Sequence, residues 1–396
     1  MFESIQAAPP DPILGISEAF LKDPRDGKIN LSVGVFKDEA GATPVLASVK
    51  AAEHRLLEQE KNKLYKPIPG DPAYGKAVRE LLFGGGDSKV SDGRAVTAHT
   101  PGGTGALRLA ADFLVGKAGV KKIWVSDPTW ENHRAIFSAV GLEVSGYRYF
   151  DAETNGLDFD GMLAALGQVG AGEAVLLHAC CHNPSGVDPT AAQWEKIADV
   201  LESRGAIPLV DFAYQGFGSG IQEDATGLRI LAKKHDEMLI CSSFSKNFGL
   251  YNERTGALTI TTQTAAEGEA VMSQLKVCAR VNYSNPPAHG GAIVTTIWGD
   301  DELRGSWERE LAEMCKRIAN MREAFVLGLK KAGADRDFSF ITSQKGMFSF
   351  SGLSREQVER LKAEHAVYIV GSGRINVAGM SSSTMDKLCQ AIVSVL

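Results

Sequence analysis

Between residues 95 and 262 short apolar runs alternate with longer helical patterns, and this rhythm restricts the fold more than any other feature of the chain. The spacing predicts strands at Ala95–His99, Lys122–Ser126, Leu142–Tyr149, Ala174–Ala179, Ile207–Phe212, Glu237–Ser243 and Gly256–Thr262. A Gly-rich turn follows the first run, then a helix through Leu107, Leu109 and Phe113. Parallel strands need long crossover connections, usually helical, whereas antiparallel neighbours need only a tight turn. Repeated β-α alternation therefore predicts an α/β fold with a mostly parallel, seven-stranded sheet covered on both faces.

The flanks read differently. Trp307, Leu311, Met314, Ile318, Met321 and Phe325 recur at helical spacing, which predicts one long amphipathic helix over 301–331. Short alternating strands follow near Phe338–Thr342, Met347–Ser351, Val367–Val370 and Ile375–Ala378, with helices at Ser354–Glu364 and the C-terminus. At the head, Asp11-Pro12 is a helix start, and Asn30 to Val35 reads as extended chain. The expected organisation is a large domain over 47–310 and a smaller α+β domain built from 1–46 and 311–396.

Composition narrows the function. The 396 residues suffice for two domains with a large core. A net charge of −6 argues against nucleic acid or an anionic membrane as the main partner, though not against a local basic pocket for small anions. No apolar run reaches the length of a membrane span. Residues 1–10 lack a basic start and an apolar core, so no signal peptide is expected. The six cysteines have no framework spacing; Cys180 and Cys181 are adjacent, and CxxC is absent. They read as reduced thiols of a cytoplasmic protein, with no metal site expected.

Four segments fall at carboxyl ends of the expected strands, where open α/β sheets bind ligands. Thr100-Pro101-Gly102-Gly103-Thr104-Gly105 opens a helix and suits an anion, although Gly-rich turns are common. His178 to Gly186 contains Asn183-Pro184-Ser185-Gly186, which is either a plain turn or a turn presenting the Asn183 amide to a phenolate oxygen. In Asp211-Phe212-Ala213-Tyr214, an aspartate ends an apolar run; it caps the next helix or meets a cation such as a protonated pyridine nitrogen. Ser243-Phe244-Ser245-Lys246, with Arg254 further on, offers hydroxyls and a guanidinium for a phosphate. Lys246 is either a surface charge or a desolvated amine able to attack a carbonyl.

With these segments the chain resembles class I aminotransferases of the aspartate/aromatic branch, among the fold type I pyridoxal-phosphate enzymes. The likeness runs from Asp11-Pro12-Ile13-Leu14-Gly15 to the C-terminal helix. It is most specific in Val125-Ser126-Asp127-Pro128-Thr129-Trp130-Glu131-Asn132-His133, Cys181-His182-Asn183-Pro184, Asp211 to Gly216 and Asn282-Tyr283-Ser284-Asn285-Pro286-Pro287. The resemblance implies pyridoxal 5'-phosphate as cofactor and Lys246 as the residue that bonds it and shuttles the substrate proton. It implies that Asp211 pairs with the pyridine nitrogen, backed by His133 and His178. Tyr214 and Asn183 would bind the phenolic oxygen and Trp130 would stack on the ring. Gly103, Thr104, Ser243, Ser245 and Arg254 would hold the phosphate. Arg374 would grip the substrate α-carboxylate, and Gly34 would lie against the substrate.

Tyr65 and Arg280 are expected to reach the neighbouring subunit's site in a homodimer, one at the phosphate and the other at the distal carboxylate. The substrates implied are amino acids and 2-oxo acids, with transfer from aspartate to 2-oxoglutarate as the first expectation. A broad aromatic aminotransferase is the alternative. Val35, Lys37, Thr43, Thr104 and Asn285 resemble the aspartate-specific type, whereas Leu64 resembles the aromatic-accepting type. Gly102 and Ser185 stand where relatives often carry Ser and Thr.

Overall fold

In a computed structural model, residues 2–7 and 14–396 are described. The helix start expected at Asp11-Pro12 lies outside them. Contacts group the chain into two units. The larger comprises Pro44–Asn183 and Val187–Lys316; the smaller comprises the chain up to Thr43, Pro184–Gly186 and Arg317–Leu396. The last boundary, between Lys316 and Arg317, falls inside one continuous helix, Asp301–Lys331, so no loop marks it.

The larger unit is built on a seven-stranded sheet. Its strands are β1 (Ala95–Pro101), β2 (Lys122–Asp127), β3 (Glu143–Arg148), β4 (Ala174–His178), β5 (Ile207–Phe212), β6 (Met238–Ser243) and β7 (Thr255–Thr261). The order across the sheet is β1-β7-β6-β5-β4-β2-β3, with only β7 antiparallel to its neighbours. β4, β6 and β7 are buried along their whole length, and the apolar runs of β4 and β6 suit strands covered on both faces. β3 lies at an edge and is mostly solvent-facing. The helix Gly102–Gly116 packs Ala106, Leu107, Ala110 and Leu114 into one core cluster with Val125, Leu176, Leu209, Leu239 and Leu258. Each such leucine contributes about 1.5–3 kcal/mol relative to exposure.

In the smaller unit Ile29–Asn30 pairs in parallel with Val367–Tyr368, and Phe348–Phe350 pairs antiparallel with Arg374–Asn376. The buried Arg322 guanidinium donates to the carbonyls of Gly346 (2.6 Å) and Phe348 (2.7 Å), pinning the segment that carries Phe348.

The strand expected at Phe338–Thr342 is instead a short helix, Phe340–Ser343. The buried pair there is Phe338 and Ile341, three apart, not an alternating set. The Asp337 carboxylate accepts from the Ser339 amide, and Ile341 N bonds back to Phe338 O, a turn geometry that competes with a ladder. Of the extended reading at 30–35 only Asn30 is strand, at the end of Ile29–Asn30, and of 375–378 only the first residues are, because Val377–Gly379 turns into a 3₁₀ helix.

Candidate active site

Adjacent strands bring the chemistry together. His178 on β4 pairs in register with Asp211 on β5, and Phe212 pairs with Ser242 on β6, so Lys246 leaves the sheet beside Asp211. Half-buried Lys246 holds its Nζ 4.6 Å from the centre of the Tyr214 ring. Burial pulls its ammonium down to about 8; Asp211 opposes the shift and Arg254 adds to it. Burial would raise the Asp211 carboxyl, yet the hydrogen bond from His133, with His178 and Lys246 nearby, outweighs it and holds the group below its ordinary value.

A directed relay stands behind Asp211. His133 Nε2 lies 2.9 Å from Asp211 Oδ2, Thr129 Oγ1 lies 2.8 Å from His133 Nδ1, and His178 Nε2 lies 3.2 Å from Thr129 Oγ1. Burial pushes His178 down to about 3, so it is neutral. With the His178 proton on Nε2 and the Asp211 carboxylate as final acceptor, one direction satisfies all three contacts. His178 N–H donates to Thr129, the Thr129 hydroxyl donates to His133, and His133 N–H donates to Asp211. Trp130 sits edge-on to His133, ring centres 5.2 Å apart.

Asn183 is buried at the end of a tightly built turn. The Asp188 carboxylate accepts from the amides of Cys181 (2.7 Å) and His182 (2.9 Å), and Cys181 takes φ 52°. His182 stacks on Tyr149 at 3.9 Å, and its Nε2 lies 2.9 Å from Ser126 Oγ.

β7 starts at the end of the sheet where β1 and β6 finish, pairing Gly256 with both Thr100 and Ser243. A Cβ on Gly256 would sit 2.4 Å from the Gly102 carbonyl carbon, so only glycine allows this approach. The Arg254 guanidinium covers Gly102, where a Cβ would come within 2.5 Å of Nη2. Ser243 Oγ donates to Ser245 Oγ (3.2 Å), and Gly103 packs against Ser243. The helix opening at Gly102-Gly103-Thr104 has no side-chain cap on its first amides. Uncapped amides, two hydroxyls and a guanidinium fit a phosphate monoester. The neighbouring amine, phenol and ionised carboxylate fit the rest of pyridoxal phosphate.

The remaining expected residues lie elsewhere. Gly34 and Arg374 belong to the smaller unit, where the Phe348 ring touches both. A Cβ on Gly34 would meet Phe348 at 2.5 Å, and the Arg374 guanidinium lies 4.2 Å from the ring centre. Phe348 thus gives Gly34 a reason to be glycine that the sequence did not reveal. Arg374 Nη2 donates to Ser32 O (2.8 Å). Tyr65 is 93% exposed, and Arg280 is exposed at the end of the helix Ala265–Asn282.

Thr129 and the Ser126–His182 pair received no role from the sequence, although all three sit in the segments that carried the resemblance. The sequence shows only a threonine four residues before a histidine, a spacing too common to stand out. Among the described residues Cys180, Cys181 and Asp224 form a possible metal-ligand group. The Asp224 carboxylate, however, accepts from the amides of Gly216, Gly218 and Ser219, which makes it a loop anchor.

This is the architecture of fold type I transferases. It has a TM-score of 0.98 with the crystal structure of aromatic-amino-acid aminotransferase from Burkholderia pseudomallei covalently bound to pyridoxal phosphate, at 49% identity over 100% of this chain and 99% of that one. The value is 0.97 with aspartate aminotransferase from Saccharomyces cerevisiae cytoplasm, at 37% identity over 100% and 98%. Residues 26–392 match the family model for aminotransferase class I and II. The chain is 55% identical to aspartate aminotransferase of Escherichia coli over the full length of both. It is 48% identical to aromatic-amino-acid aminotransferase of Pseudomonas aeruginosa over 100% of this chain and 98% of that protein. The chain belongs to the class I and II aminotransferase family.

Proposed function

We propose that this protein is an aspartate aminotransferase that uses pyridoxal 5'-phosphate and transfers the amino group of L-aspartate to 2-oxoglutarate, giving oxaloacetate and L-glutamate in two alternating half-reactions. The observation that carries the reading is a lysine amine pulled down to about 8, one strand from an aspartate held ionised by a histidine relay. Full-length identity of 49–56% to bacterial aspartate aminotransferases favours aspartate as substrate.

When bound, the cofactor supplies an electron sink joined to the substrate amine. The chain does the rest. Arg374 forks onto the α-carboxylate, a geometry that planar guanidinium provides and lysine does not. The Lys246 amine is the base that would take the proton from the substrate α-carbon and hold it for return. Asp211 keeps positive charge at the ring nitrogen, and His133, Thr129 and His178 hold that carboxylate ionised and oriented. Tyr214 and Asn183 donate to the phenolic oxygen, and Trp130 covers the ring. Gly103, Thr104, Ser243, Ser245 and Arg254 anchor the phosphate. Gly34 would lie against the substrate through its backbone, its missing Cβ leaving room for the Phe348 ring.

The reading includes a homodimer in which Tyr65 and Arg280 serve the neighbouring subunit's site at the phosphate and the distal carboxylate. Leu57, Leu64, Tyr65 and Val281 are 77–93% exposed on the larger unit, apolar side chains that a neighbouring subunit would cover. It also includes a reducing, cytoplasmic setting, in keeping with six free cysteines. No helix among the described residues is long and apolar enough to cross a membrane.

Steady-state kcat/KM for aspartate against phenylalanine, each with 2-oxoglutarate, tests the specificity. Aspartate is expected to lead; a phenylalanine value equal or higher would install the aromatic reading instead. That second reading has its own support in the 0.98 TM-score with an aromatic-amino-acid aminotransferase.

The apoprotein should also show the lysine directly. A neutral amine is the nucleophile, so the rate of covalent cofactor capture should rise about tenfold per pH unit up to about pH 8 and then level off. A rate still climbing towards pH 10, as for a lysine at the ordinary 10.5, would contradict the assigned environment.

A further inference from the structure

The helix Ala265–Asn282 ends with Tyr283 N and Ser284 N both bonded to Ala279 O, at 3.0 and 2.9 Å. Ser284 takes φ 65°, a left-handed conformation usually left to glycine or asparagine at such helix ends. A serine held there at a backbone cost calls for a use of its hydroxyl. The hydroxyl has two neighbours. Ser284 Oγ donates its one proton to Asn285 Oδ1 (3.1 Å), so its lone pairs face Arg280 Nη1, which donates to it. Asn285 is itself fixed, because Nδ2 donates to Lys66 O (2.7 Å) and thereby sets which way the amide faces. Among the described residues Arg280 pairs with no carboxylate. A neutral acceptor orients the guanidinium without neutralising it, and a planar fork gives up one neutral contact readily for two charge-assisted bonds to a carboxylate.

We propose that Ser284 is a positioning residue that sets the preference for dicarboxylic over uncharged substrates by holding Arg280 ready for the distal carboxylate. The inference rests on Arg280 being the distal-carboxylate clamp. The chain Arg280–Ser284–Asn285 also ends on the backbone carbonyl of Lys66, the residue next to Tyr65.

Two variants separate the hydroxyl from the backbone. Ser284→Gly removes the hydroxyl and relieves the left-handed strain; Ser284→Ala removes the hydroxyl and keeps the strain. In cofactor-loaded dimers, both should raise KM for aspartate about tenfold with kcat within about twofold, and lower the aspartate-to-phenylalanine ratio of kcat/KM about tenfold. Calorimetric affinity for maleate, an unreactive dicarboxylate, should fall by a similar factor. A purely structural role makes the opposite prediction: Ser284→Gly would keep the wild-type KM and maleate affinity, and only Ser284→Ala would suffer. That result in Ser284→Gly overturns the proposal. Failure of the parent reading looks different, because wild-type enzyme would then fail to turn over aspartate or to bind maleate at all.

Discussion

Lys246→Ala is expected to retain cofactor and to lose transamination by about 10⁴-fold or more in kcat, since the substitution removes both a covalent anchor and the general base. The two losses have separate readouts. Ser243, Ser245, Arg254 and the uncapped helix start form a phosphate cradle that does not involve the amine. Dialysed variant should therefore still carry cofactor, now released by denaturation without any reductant-stable attachment. Turnover should be near background, because the substitution removes the amine assigned to the α-proton. In the described structure only Lys246 combines burial, an ammonium pulled down to about 8 and a neighbouring ionised aspartate. Near-normal turnover in this variant would contradict the role.

The second large effect is expected at Asp211. Its carboxylate is buried and stays ionised because His133 donates to it and positive charge lies near. Asp211→Asn keeps the shape and removes the charge. Breaking a buried charge pair by removing one partner costs about 3–5 kcal/mol, which corresponds to roughly 10²–10⁴-fold in kcat. Asp211→Glu should recover a large part of the loss, since charge matters more than reach. A variant in which Asp211→Asn loses less than about fivefold would show that the ring nitrogen does not need this partner.

The sequence made the larger unit legible because buried parallel strands are nearly continuous apolar runs. β5 was read at its observed limits and the other six strands within a few residues. The long helix Asp301–Lys331 was equally plain, its apolar stripe running over many turns. The smaller unit was harder. Its strands have two or three residues, too few for alternation to register, and at Phe338–Thr342 alternating aromatics belonged to a turn of helix.

For the site, the side chains that end strands were legible one by one, because an aspartate or lysine closing an apolar run is costly without a partner. Their connections were not. Thr129 reads as an ordinary threonine until its hydroxyl is seen between His133 and His178. Gly256 reads as a strand glycine until Gly102 is found against it, across an antiparallel pairing that joins distant parts of the chain. Ser284 needed its backbone angle, which residue type does not announce. In each case the missing information is a long-range contact or a φ value, not a residue preference.

The proposed function rests above all on a covalent bond between the cofactor and the amine of Lys246. Borohydride reduction of the cofactor-loaded protein, followed by digestion and peptide mass analysis, tests it most directly. One labelled peptide is expected, containing Ser245-Lys246-Asn247 and heavier by the reduced cofactor. A label on another lysine, or no label on protein saturated with pyridoxal phosphate, would contradict it.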